Sequence, residues 1–227
     1  MTITGAILRN AVIYAAQLIT SHRQEIDALN VFPVPDGDTG TNMSMTITNA
    51  SREVRVKDDS ESVSAVASCV ASGLLRGARG NSGVILSLIF RGISKGLKGL
   101  DEADGAAIAS ALEHGSSSAY KAVMKPTEGT ILTVIRTASE YARKAVNDGE
   151  TDAVKVFDTG LEGAKAALAD TPNILPVLKK AGVVDAGGSG LVCIFTAMSD
   201  VFHGKEVNLD ADEAEEAKSE EKADEHS

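Results

Sequence analysis

Two aspartates stand one residue apart in Asp36-Gly37-Asp38-Thr39-Gly40, behind a stretch stiffened by Pro33 and Pro35. Carboxylates held that close repel each other. A divalent cation relieves the repulsion, and hard oxygen donors suit Mg²⁺. Thr39, Gly40, Thr41 and Asn42 follow where a helix begins. Unsatisfied N–H groups and the positive end of the helix dipole make such a start an anion site. The segment could therefore hold phosphate on its amides, with Mg²⁺ bridging it to Asp36 and Asp38. A calcium loop of the EF-hand type also opens Asp-x-Asp, but it needs Glu at its twelfth position, which here is Ile47. The remaining reading is an Asx turn closed by an N-cap. The segment alone leaves that alternative open.

Three further breaks carry glycine ahead of a helix. Gly77-Ala78-Arg79-Gly80-Asn81-Ser82-Gly83 lacks the Lys-Ser/Thr of a Walker A loop, and no strand precedes it. Asn81 and Ser82 are candidate phosphate or ribose contacts, and Arg79 suits either a phosphate or a surface acid. Lys125-Pro126-Thr127-Glu128-Gly129-Thr130 offers Thr130 as an N-cap. Gly182 to Gly190 holds four glycines in nine residues, more than a helix C-cap requires. Its Asp185 suits the cap of the last helix or a nucleotide ribose or amine. Four such loops suggest convergence on one ligand. His22, His114, His203 and His226 all lie outside them, and no Ser-His-Asp or Cys-His arrangement is present. Phosphoryl transfer tolerates the lack of a base, because positioning and charge neutralisation carry most of it.

The elements that must position these loops read as helices. In Gly129–Val146 the apolar residues Ile131, Val134, Ile135, Ala138, Tyr141, Ala142 and Ala145 recur at helical spacing. Residues 60–75 do the same, and 4–28, 41–55, 81–95, 104–124, 152–169 and 187–203 complete a set of about eight. No run alternates as a strand. Hydrophobic residues are 43% and aromatics 4% of 227 residues, so the core is built from small and branched aliphatics suited to close helix packing. Nine acids against two lysines give residues 210–227 a charge of −7 out of −10, leaving about −3 for the body. That near-neutral body argues against a nucleic-acid surface. The expected division is a domain over 1–206 and an acidic, disordered linker or tail over 207–227. Cys69 and Cys193 lack metal spacing and read as buried free thiols. With no signal segment and no long apolar span, the expected compartment is cytoplasmic.

The stretch Leu29 to Met43, with Gly77 to Ile85, Lys125 to Thr130 and Val183 to Gly188, resembles the signature of the bacterial fatty acid kinase catalytic subunit. The N-terminal domain of that subunit is similar to the L subunit of dihydroxyacetone kinase (a DhaL-type domain). The resemblance runs from about residue 5 to 204, with the motifs in family order. It implies an all-α barrel or bundle of about eight antiparallel amphipathic helices, with ATP or ADP in the loops at one end. It implies Asp36 and Asp38 as catalytic, Mg²⁺-holding carboxylates. Thr39, Gly40, Thr41, Asn42, Asn81, Ser82, Gly129, Thr130, Asp185, Ala186 and Gly187 match nucleotide-contacting positions. Two departures bear on the acceptor. The dihydroxyacetone kinase pattern has a third metal-binding Asp upstream, whose nearest counterpart is Asn30, a neutral oxygen ligand; it also has a His where this chain has Thr39. Both features follow the fatty acid kinase version. That version implies transfer of the γ-phosphoryl of ATP to a fatty acid presented by a DegV-type fatty-acid-binding partner, with membrane contact only through that partner or the lipid. Dihydroxyacetone phosphorylation, or a non-catalytic nucleotide- or lipid-binding module, are the alternatives, and homodimerisation is left open.

Overall fold

The computed structural model describes residues 1–211. Among these the regular elements are all helical: α1 (Gly5–Ala28), α2 (Thr39–Val54), α3 (Val63–Gly77), α4 (Gly80–Gly96), α5 (Gly105–Ala122), α6 (Ile131–Asn147), α7 (Ala153–Ile174), α8 (Pro176–Ala181) and α9 (Ala186–Phe202). The eight long helices run alternately up and down. Each packs on the next, and α9 returns to α1, so the bundle closes. This is the expected all-α architecture. Small residues allow the close approach. A Cβ on Gly92 of α4 would collide with the carbonyl of His114 on α5.

The interior is filled by Val, Ile, Leu and Ala, with Phe157 edge-on to Phe195 and Phe202 at 5.3 and 4.9 Å between ring centres. An apolar cavity of about 30 Å³ lies among Ile3, Leu112, Phe157 and Phe202. It has room for a methyl group and not for an acyl chain. One end of the bundle is stitched by backbone bonds: Ile3 N to Ala103 O, Val63 N to Asp101 O, and Ala153 N to Met1 O. The starts of α2, α4, α6 and α9 lie at the other end.

Three boundaries differ from the sequence reading. α7 continues through Pro172 to Ile174, five residues past 169. Pro172 removes the N–H that would bond Leu168 O, and the Thr171 hydroxyl takes that carbonyl instead, at 2.7 Å. The short helix α8 has too few turns to show a period. The body also continues beyond residue 206: Val207 packs on the core and Gln17 Nε2 donates to Asn208 O at 2.9 Å. The rest of the expected acidic tail, 212–227, lies outside the described residues. Both cysteines are free and half-buried. Among the described residues no helix is long and apolar enough to cross a membrane.

Candidate functional site

Helix starts sort the loops. At the stitched end, α1, α3, α5 and α7 each carry a side-chain cap, from Thr4, Ser62, Asp104 and Asp152. At the loop end α6 and α9 are also capped, by Thr130 and Asp185. Among the described residues, α2 and α4 are the two of the eight long helices whose N-cap side chains make no cap bond. These two starts are neighbours. Gly80 sits at φ +62°, and a Cβ there would lie 2.5 Å from Asn42 Nδ2. Arg79 N donates to Thr46 Oγ1 at 3.1 Å. Thr39, Gly40, Asn81 and Ser82 have no backbone N–H acceptor among the described residues. Two helix starts side by side, each with amides left free by its own N-cap residue, offer donors to an anion.

The carboxylates lie against this junction. Asp38 occupies the N-cap position of α2, yet its side chain makes no cap bond. The Asx-cap alternative therefore does not describe it. Desolvation lifts its carboxyl above the ordinary range; a hydrogen bond from Asn42 opposes that, while Asp36, in hydrogen-bonding range, and the charge of Asp27 add to it. Asp27, in the last turn of α1, accepts from Thr41 N at 2.9 Å and Thr41 Oγ1 at 2.6 Å.

Asn30 Oδ1 accepts from Asp38 N at 3.1 Å and its Nδ2 donates to Val34 O at 3.0 Å, so the carboxamide braces the loop that carries Asp36 and Asp38. The acid beside the Asp pair is Asp27. Spacing did not reveal it, but one signal was present: an acid in the last helical turn faces the negative dipole end and needs another reason to be there. Among the described residues no three His, Cys, Asp or Glu side chains converge on one metal point. Two carboxylates are what Mg²⁺ takes when substrate phosphates supply further ligands, so the donor set fits a metal that arrives with a nucleotide.

The other expected positions divide. Asn42, Asn81 and Ser82 line the junction, and Thr39 and Gly40 bring their amides. Gly40 also sits directly on α1, where a Cβ would collide with Arg23 O. Thr41 is engaged by Asp27. Gly129, at φ +82°, faces Leu175 and donates its N–H to Thr133 Oγ1 at 2.8 Å. Asp185, 5% exposed, accepts from Gly188 N at 2.8 Å and from the Ile131 amide. Burial pushes its carboxyl up to about 6, against those two backbone bonds. Asp185 thus closes the starts of α9 and α6 together. Ala186 is buried behind it, and Gly187 lies between it and Ile131. The four loops do share one end, since Gly190 of α9 meets Met43 of α2. Two of them are open to an anion and two are sealed by their own side chains.

The sequence matches the DAK2 domain family over residues 33–200, and the chain belongs to that family. It is 46% identical to Protein YloV of Bacillus subtilis over 206 residues, 91% of this chain and 37% of that protein. It is 47% identical over 195 residues to an uncharacterized protein of Staphylococcus haemolyticus, covering 85% of this chain and 35% of that one. The chain thus spans little more than a third of these relatives. In fold it is similar to the dihydroxyacetone kinase of C. freundii, with a TM-score of 0.60 at 20% identity over 86% of this chain and 34% of that one. The same kinase in complex with AMP-PNP and Mg²⁺ matches with a TM-score of 0.60 at 18% identity, over 88% of this chain and 34% of that one.

Proposed function

We propose that this chain is the nucleotide-binding domain of an ATP- and Mg²⁺-dependent kinase that phosphorylates a fatty acid carboxylate. The observation that carries the reading is the meeting of α2 and α4, the two long helices among the described residues whose N-cap residues make no side-chain cap bond, at Asn42 and Gly80 beside Asp36 and Asp38. In this reading the Thr39, Gly40, Asn81 and Ser82 amides hold the phosphates. Asp36 and Asp38 would hold Mg²⁺, which supplies charge neutralisation when bound. The AMP-PNP and Mg²⁺ complex of the structural neighbour supports the nucleotide and the ion.

The acceptor is argued from chemistry. A sugar hydroxyl must lose a proton to attack, whereas a fatty acid is already ionised at neutral pH. Thr39 stands where the dihydroxyacetone kinase pattern has a histidine, and the His203 imidazole is paired with Asp158 at 2.5 Å near the end of α9, away from the loops. The acid would come on a separate fatty-acid-binding protein. The loop end exposes the apolar side chains of Val34, Leu75, Val84, Met124, Ile174 and Val177, which such a partner would cover.

The test uses the full-length protein with Mg²⁺ and ATP. Acyl phosphate should form with a fatty-acid-loaded carrier protein, and no phosphate ester with dihydroxyacetone. Ester formation from dihydroxyacetone alone would overturn the acceptor assignment. Tight nucleotide binding with transfer to neither would leave a binding module.

A further inference from the structure

We propose that Arg79 is the residue that meets the terminal phosphoryl group of ATP. The inference rests on the nucleotide reading above and adds a residue to it. Sequence left Arg79 between two partners, a phosphate and a surface acid. Arg9, Arg76, Arg136 and Arg143 each meet a carboxylate. Arg79 is exposed and meets no acid among the described residues.

Its position is fixed from both sides. Its N–H is held by Thr46 Oγ1 at 3.1 Å, its carbonyl accepts from Gly83 N at 3.0 Å, and Gly80 after it packs on Asn42. Its backbone is therefore locked at the α2–α4 junction while the guanidinium keeps all its donors. It is the N-cap residue of α4, so its charge adds to the uncapped helix start. In the transfer, the bond from γ-phosphorus to the bridging oxygen breaks, that electron pair leaves on ADP, and the acceptor oxygen bonds to phosphorus. Charge spreads over the three equatorial oxygens, and a planar guanidinium meets two of them at once.

The test compares binding of Mg²⁺–AMP-PNP and Mg²⁺–ADP by calorimetry in wild type, Arg79→Ala, Arg79→Lys and Arg91→Ala. Arg91 is exposed on the same helix, about 18 Å further along, and controls for loss of net charge. The expected result is that Arg79→Ala weakens AMP-PNP roughly tenfold or more and ADP less than about twofold, with Arg79→Lys intermediate and Arg91→Ala unchanged. Equal weakening of both nucleotides, or of neither, overturns the assignment. Wild type that binds neither nucleotide overturns the nucleotide reading itself, which is a separate result. Circular dichroism of each variant identifies any loss caused by misfolding.

Discussion

Asp27 takes both donors of Thr41, the amide at 2.9 Å and the hydroxyl at 2.6 Å, and so pins the end of α1 to the start of α2. This bond does for α2 what Asp38 does not. It leaves the Asp38 carboxylate beside Asp36 and fixes the first turn whose remaining amides face the candidate site.

Replacing Asp27 with Ala leaves two donors without their acceptor. The expected loss is about 1–2 kcal/mol, as for a helix cap. Urea unfolding of Asp27→Ala, Thr41→Ala and the double variant would show a coupling of about 1 kcal/mol between the two positions. Additive losses would mean that the pair is incidental.

Gly80→Ala should damage the site more than the fold. The new Cβ is strained at φ +62° and falls 2.5 Å from Asn42 Nδ2, so the Asn42 carboxamide must swing out of its place at the α2–α4 junction. A cost of about 1–3 kcal/mol is expected. Nucleotide affinity should fall more than tenfold while the helical circular dichroism persists. Unaltered affinity would place the ligand elsewhere.

The Asp185 carboxyl makes stability depend on pH. Its folded value, about 6, lies above its ordinary 3.8. Its stabilising contribution is therefore complete below about pH 4 and is lost as pH rises through 6, since the charged form is the one burial disfavours. The lost contribution is about 3 kcal/mol. Asp185→Asn lacks this dependence, so its stability relative to wild type should improve by up to that amount between pH 4 and pH 7. Parallel pH profiles would contradict the assignment.

The Lys125–Thr130 loop is held by side chains. Glu128 accepts from Tyr120 OH at 2.9 Å, Arg136 Nη2 at 3.0 Å and Thr133 Oγ1 at 2.5 Å, and Thr133 in turn accepts from Gly129 N. Because the Glu128 and Arg136 side chains are well exposed, Glu128→Gln should change global stability by less than about 1 kcal/mol. The Gly129 amide should nevertheless exchange with solvent faster. Unchanged protection of that amide would show that Thr133 alone holds the loop.

The helices were legible because apolar spacing and glycine punctuation fall on the same boundaries. α8 escaped because its six residues cannot show a period, and the end of α7 because Thr171 rescues a proline the pattern treats as a stop. The four loops were visible as glycine-rich helix entries, but their division was not. Which starts remain open depends on long-range pairs such as Asp27 with Thr41 and Asp185 with Ile131, and spacing carries no record of those. Asn30 entered as the counterpart of an upstream Asp in the dihydroxyacetone kinase pattern, and a resemblance carries no record of the two bonds by which it braces the loop.

The most direct measurement is calorimetric titration of ADP with and without Mg²⁺ in wild type, Asp36→Ala and Asp38→Ala. The expected result is that Mg²⁺ tightens ADP binding roughly tenfold or more in wild type, that the gain disappears in both variants, and that Mg²⁺ alone binds no tighter than about millimolar. Mg²⁺-dependent binding that survives unchanged in both variants would contradict the site at the α2–α4 junction.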